Sequence, residues 1–205
     1  MSDTLTPSTR HITRIFRTST PEERTAGAAW YANAYDTAVE FGEEFGLTTE
    51  HAAGVIAALS PMMSWAANLS VARKILAQGG HATGGCLGPN LAKANRIILG
   101  ESPLDVLGGD KVRNFFLSII TRGEEGVTID RHAHDIAVNR RYTDDTRPAI
   151  GKRRYVEFQA AYQRAARILS RELGEPITAG QVQSVTWEKW RNRYWAKGAF
   201  DPKSA

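Results

Sequence analysis

The chain has 205 residues, 42% hydrophobic and 23% charged, with a formal net charge of +4. That is an ordinary globular composition, long enough to bury a core without staples. Its single cysteine, Cys86, excludes an internal disulfide framework and any zinc or iron–sulfur site built from several cysteines, so no metal and no cofactor is expected.

In chain order the pattern is helical throughout. Residues 1–7 read as a tail, and Ser8 opens a short helix to about Phe16. Thr20-Pro21-Glu22-Glu23 is a strong helix start, with Thr20 as cap, Pro21 at the first helical position and Glu23 completing a capping box. Trp30, Ala34, Ala38, Phe41 and Phe45 then recur at helical spacing until Gly46 supplies the stop. Thr49 begins a helix whose body, Ala52 to Leu59, is almost wholly apolar and therefore central. Ser60-Pro61 breaks it, and Ser64 caps the next helix to about Gln78. Residues 79–88 form a glycine-rich loop, followed by a helix from Pro89 to Leu99.

Ser102-Pro103 opens a short helix through Leu107, Gly108-Gly109 turns, and Lys111 to Ile120 is helical. Asp130 stands at an N-cap position ahead of Ala133 to Arg140. Residues 143–150 are a polar loop, Lys152 to Leu173 an amphipathic helix closed by Gly174, and Thr178 caps a last helix to about Trp195. Val127-Thr128-Ile129 is β-prone but too short to make a strand. The fold class is all-α, with nine or ten helices arranged as one domain in two lobes, residues 48–142 and residues 8–47 with 143–198. No apolar run has the length of a membrane span, and the N-terminus lacks signal-peptide form. A soluble, cytoplasmic protein without membrane contact is expected.

Basic residues cluster. Arg131, Arg140, Arg141, Arg147, Lys152, Arg153 and Arg154 fall within 24 residues, and Lys189, Arg191, Arg193 and Lys197 interleave with Trp187, Trp190, Tyr194 and Trp195. One reading is a phosphate-contacting surface. The other is a solvated face over an aromatic core, with Trp187 and Trp190 packing inward.

One segment combines chemistry with spacing: Leu107-Gly108-Gly109-Asp110-Lys111-Val112, then Ile129-Asp130-Arg131-His132. A glycine turn between helices presents unpaired amides and a helix dipole to an anion such as phosphate. Lys111 and Asp130 begin consecutive antiparallel helices. The first helix spans about 15 Å, and a return loop of similar reach would bring an amine and a carboxylate to one cleft.

This stretch, from Val106 to Tyr142, resembles the helix-hairpin-helix–GPD superfamily of DNA glycosylases, in particular its 8-oxoguanine glycosylase branch. In that family the hairpin ends in a reactive Lys, matched by Lys111. A catalytic Asp follows in a Val-Asp-x-His context, matched by Ile129-Asp130-Arg131-His132. The resemblance implies a two-lobed helical fold that binds double-stranded DNA and cleaves the N-glycosidic bond of a damaged or modified base, with possible abasic-site lyase activity through a Schiff base on Lys111. It also implies a wedge loop entering the gap left by a flipped base, for which Pro61 and Met62, within Ser60-Pro61-Met62-Met63-Ser64-Trp65, occupy the comparable place. Gly108, Gly109, Arg131, His132, Lys152, Arg153 and Arg154 complete the expected DNA contacts.

The chain is also similar to small phage proteins of the superfamily and to phage enzymes acting on hypermodified thymine. It departs from the family's Leu-Pro-Gly-x-Gly hairpin, because Val106 and Leu107 replace the Pro and the first Gly. That departure keeps open a catalytically silent protein that binds DNA or a host protein. Asp130 as a plain helix cap, Lys111 as a surface lysine, Met62 and Met63 as core residues, His132 as a packing residue and His134 as a surface neighbour of Asp135 stay open as well.

Overall fold

A computed structural model describes residues 6–143 and 145–194. Among these are ten helices and no strand, so the all-α expectation holds. They are α1 (Thr9–Arg17), α2 (Pro21–Phe45), α3 (Thr49–Leu59), α4 (Trp65–Leu76), α5 (Gly88–Ile98), α6 (Pro103–Val106), α7 (Asp110–Ile120), α8 (Arg131–Val138), α9 (Lys152–Leu173) and α10 (Ala179–Tyr194). None of them is long and apolar enough to cross a membrane.

Local chemistry sets most boundaries. The capping box at α2 is made: Thr20 N–H donates to Glu23 Oε2 at 2.8 Å, and Glu23 N–H donates to Thr20 Oγ1 at 3.2 Å. Thr48 and Ser64 cap α3 and α4. Thr178 and Gln181 form a second reciprocal box at α10. Ser8 and Ser102, in contrast, precede α1 and α6 without a side-chain cap bond. α8 stops two residues short of its expected end, because Asn139 takes the left-handed conformation that ends helices (φ 52°).

The chain divides into two compact units, cut after Tyr31 within α2 and after Arg122. The lobes drawn from the sequence had their borders at 47/48 and 142/143. The observed division places Asp130 in the first unit and Lys111 in the second.

In the first unit α9 carries the apolar stripe. Tyr155, Phe158, Tyr162, Ala165 and Leu169 recur at three- and four-residue spacing and are buried. They pack with α1, α8 and α10. The start of α2 lies so close to α10 that a Cβ on Gly27 would stand 2.4 Å from Val185 Cα. Ser184 Oγ donates to Gly27 O at 2.7 Å in the same contact.

The second unit is built around α3, whose residues Ala52 to Leu59 are all buried. A helix apolar all round must be enclosed, and α4, α5, α6 and α7 enclose it. The Pro103 ring of α6 rests on Gly54 of α3, where a Cβ would stand 2.7 Å from Pro103 Cγ. This contact seats the turn that precedes Lys111.

Candidate functional site

Asp130 is reached through an unusual lead-in. The β-prone segment Val127-Thr128-Ile129 forms no strand. The Tyr155 hydroxyl takes the place of a neighbouring strand. It accepts from Ile129 N–H at 2.9 Å and donates to Val127 O at 3.0 Å. Both backbone groups thereby gain a hydrogen-bond partner just ahead of α8.

At the start of α8 the Asp130 carboxylate is held at three points. Oδ1 accepts from His132 N–H at 3.0 Å and from Ala133 N–H at 2.8 Å. Oδ2 accepts from the Trp187 indole Nε1–H at 3.0 Å. The N-cap reading is therefore correct, and it accounts for only one oxygen. Asp130 is partly exposed.

Next to it, His132 is buried, with its ring edge-on to Trp187 at 5.8 Å between centroids. Burial pushes the imidazole below its ordinary value of 6.5, against the pull of Asp130. His132 therefore packs against Trp187 beside the carboxylate. Arg131 is exposed, with Nε 3.4 Å from His132 Nε2. Tyr162, its phenol pushed well up by burial, donates to Ala133 O at 3.0 Å and anchors the first turn of α8.

His134 is not a surface residue. It is 1% exposed, stacks on Phe158 at 5.0 Å, and its Nδ1 lies 3.0 Å from Asp135 Oδ1. Asp135 is fully buried and also receives Arg147 Nε (3.1 Å), Arg147 Nη2 (3.0 Å) and Tyr142 N–H (3.1 Å). Burial opposes ionisation of Asp135. The hydrogen bonds from His134, Arg147 and Tyr142 outweigh it and hold the carboxyl below its ordinary value. Arg147 is thus withdrawn from the basic surface to fasten the loop after α8.

Other cations are also engaged. Lys189 pairs with Glu23 at 3.1 Å, Arg191 lies over the Trp187 ring at 4.8 Å, and Arg154 lies over Phe158 at 5.6 Å. Lys152 and Arg153 are exposed on the first turn of α9, with Arg153 Nε 3.8 Å from Glu157. Trp190 is a core residue, 3% exposed. Trp195 and Lys197 lie outside the described residues.

In the second unit, α6 is followed by the Gly108-Gly109 turn and then α7. α6 is a single turn of four residues. Gly109 is the N-cap of α7 at φ 80°, a conformation that favours glycine. Gly108 faces open space except for Lys93 Nζ, 3.8 Å from where its Cβ would be. Only the second glycine is therefore demanded by the backbone. Arg113 Nη1 donates to Leu104 O at 2.8 Å and ties α7 to α6.

Lys111, the second residue of α7, is exposed and makes no ion pair among the described residues. A cation at a helix N-terminus opposes the dipole, so the position does not serve the helix. Pro61 and Met62 lie in the turn between α3 and α4. Met62 is 88% exposed at φ 65°, so it is no core residue. Met63 is partly buried. Trp65, at the start of α4, meets Phe115 edge-on at 6.4 Å.

The sequence reading missed Tyr155, and it took Trp187 only as one aromatic of the basic cluster or the core. A signal for Trp187 was present: Gly180, Ser184, Trp187 and Arg191 share one face of α10 by their four-three-four spacing. Nothing in the sequence indicated what that face meets. No group of three or more His, Cys, Asp or Glu among the described residues is placed to hold a metal ion. Comparisons with curated proteins and with solved structures give no match. Residues 1–194 match the Family of unknown function (DUF7178), and the chain belongs to that family.

Proposed function

We propose that this chain is a DNA-binding base-excision enzyme of the helix-hairpin-helix glycosylase type. Asp130 is the carboxylate that stabilises the oxocarbenium-like transition state at C1′, and Lys111, after losing a proton to water, is the amine whose nitrogen bonds C1′ as the C1′–N bond breaks and the base departs with that electron pair. The observation that carries this reading is the three-point hold on Asp130. A helix cap needs one oxygen, yet the second is oriented by an indole from another helix. A carboxylate already accepting three hydrogen bonds is suited to act as a fixed counter-charge to a developing cation. The single-turn helix, glycine turn, Lys111 and capping Asp130 follow one another in the order the resemblance implies. Exposed Arg131, Lys152 and Arg153 are the phosphate contacts in this reading, and Pro61 and Met62 the wedge.

Base release and borohydride trapping test the two proposed roles. Wild-type protein is incubated with a panel of damaged, mismatched and modified-thymine duplexes. Base release and a covalent complex are expected on at least one duplex. Asp130→Asn should abolish release, and Lys111→Gln should abolish trapping. A wild-type protein inert across the panel refutes the enzymatic reading.

A second reading, DNA binding without catalysis, is favoured by the hairpin. Its first arm is one turn and lacks the family's Pro and first Gly. An inert protein whose DNA affinity falls steeply with salt would identify it.

A further inference from the structure

We infer that Trp187 is the positioning residue of Asp130, an inference that rests on the enzymatic reading above. Capping of α8 is complete with Oδ1 alone, since that oxygen serves both the His132 and Ala133 amides. The bond from Trp187 Nε1 to Oδ2 comes from 57 positions away in sequence and adds nothing to the cap. It sets the rotation of the carboxylate about its last bond. That rotation decides which way the free lone pairs point.

The indole is itself constrained. His132, from the same turn of α8, stands edge-on to it, and the Arg191 guanidinium lies over its ring. The helix carrying it is packed tightly near its start. Gly180 of α10 approaches Gly123 so closely that a Cβ would stand 2.4 Å from Gly123 O, and Ser184 bonds Gly27 O. One face of α10 thus runs from two backbone-close contacts to the carboxylate. A group positioned by a rigid partner reaches its reactive geometry without reorganising.

The test uses the full chain and two readouts. The first is the Trp187 indole 15N–1H resonance. It should lie downfield as expected for a bond to a carboxylate, and move upfield in Asp130→Ala. The second is single-turnover base release by Trp187→Phe, which keeps the ring and removes the donor. We expect the single-turnover rate to fall about 10- to 100-fold, the scale for losing a hydrogen bond to a charged group, with DNA affinity within about twofold. Trp187→His, which restores a ring N–H, should recover part of the rate.

A Trp187→Phe enzyme as fast as wild type, or a Trp187 resonance indifferent to Asp130→Ala, overturns the inference and leaves the enzymatic reading standing. A wild-type protein inert on every duplex overturns both. The resonance is read on the wild-type fold, so the inference stays refutable even if Trp187→Phe does not fold.

Discussion

Replacing Asp130 asks whether it is more than a helix cap. In Asp130→Asn the remaining oxygen can still accept from the His132 and Ala133 amides, and Asn caps helices about as well as Asp. The other position becomes an amide NH2, which faces the Trp187 indole N–H, donor against donor. Flipping the amide only moves the conflict to the backbone. A part-buried donor left without an acceptor costs about 1–3 kcal/mol, whereas a residue that only caps predicts a change of a few tenths. Asp130→Ala loses the cap as well and should cost about 2–4 kcal/mol in total. Trp187→Phe removes the opposing donor, so it should harm Asp130→Asn less than it harms wild type. Equilibrium urea unfolding of the four proteins at pH 7 gives the cycle, and a coupling of about 1 kcal/mol or more is expected. Additivity within about 0.5 kcal/mol would show that the indole bond carries no energy and that Asp130 is a cap alone.

Gly27→Ala adds a helix-favouring residue worth about 1 kcal/mol. Its Cβ would nevertheless meet Val185 Cα at 2.4 Å, a backbone atom that cannot rotate aside. A net loss of about 2 kcal/mol or more is expected in thermal or urea unfolding, together with a shift of the Trp187 indole resonance as α10 is displaced. Stability should also respond to pH in two windows. His132 is held below 6.5 by burial, so the unfolded chain binds that proton first and stability falls as pH drops below 6.5. His132→Gln should flatten this limb of a melting-temperature profile. The Asp135 carboxyl lies below 3.8, so its contribution is complete above that value and is lost as pH falls through its lower folded value. Asp135→Asn should remove that acid limb while lowering stability at neutral pH. Met62→Gly should relieve a left-handed backbone and stabilise the fold by about 1 kcal/mol. If Met62 is the wedge, the same variant should bind mismatched or abasic duplex more weakly while its affinity for intact duplex changes little.

Much of the helical layout was legible in the sequence because helix ends are local events. Thr20 with Glu23, Thr178 ahead of α10 and Gly174 after α9 act within one turn of chain, so their side chains announce the boundary. The enclosure of α3 was equally plain, since eight consecutive buried residues can face nothing but protein. Asp130 as a cap, and the short helix, glycine turn and helix around Lys111, were local in the same sense.

What tertiary structure alone decided is which side chains far apart in sequence meet. His134 and Arg147 read as polar surface, yet burial of Asp135 drew both inward, because a carboxylate shut away from water needs several donors. Val127 to Ile129 looked like a strand too short to matter; no strand forms, and the Tyr155 hydroxyl, 26 and 28 positions away, bonds to its backbone instead. Trp187 reads as one more core aromatic until α10 is placed, and placement depends on bare backbone at Gly27 and Gly180 that no hydropathy pattern reports. A cap requires only its own helix, so the sequence suffices for it. The orientation of the second Asp130 oxygen depends on a helix almost sixty residues later, and only the packing of the folded chain brings the two together.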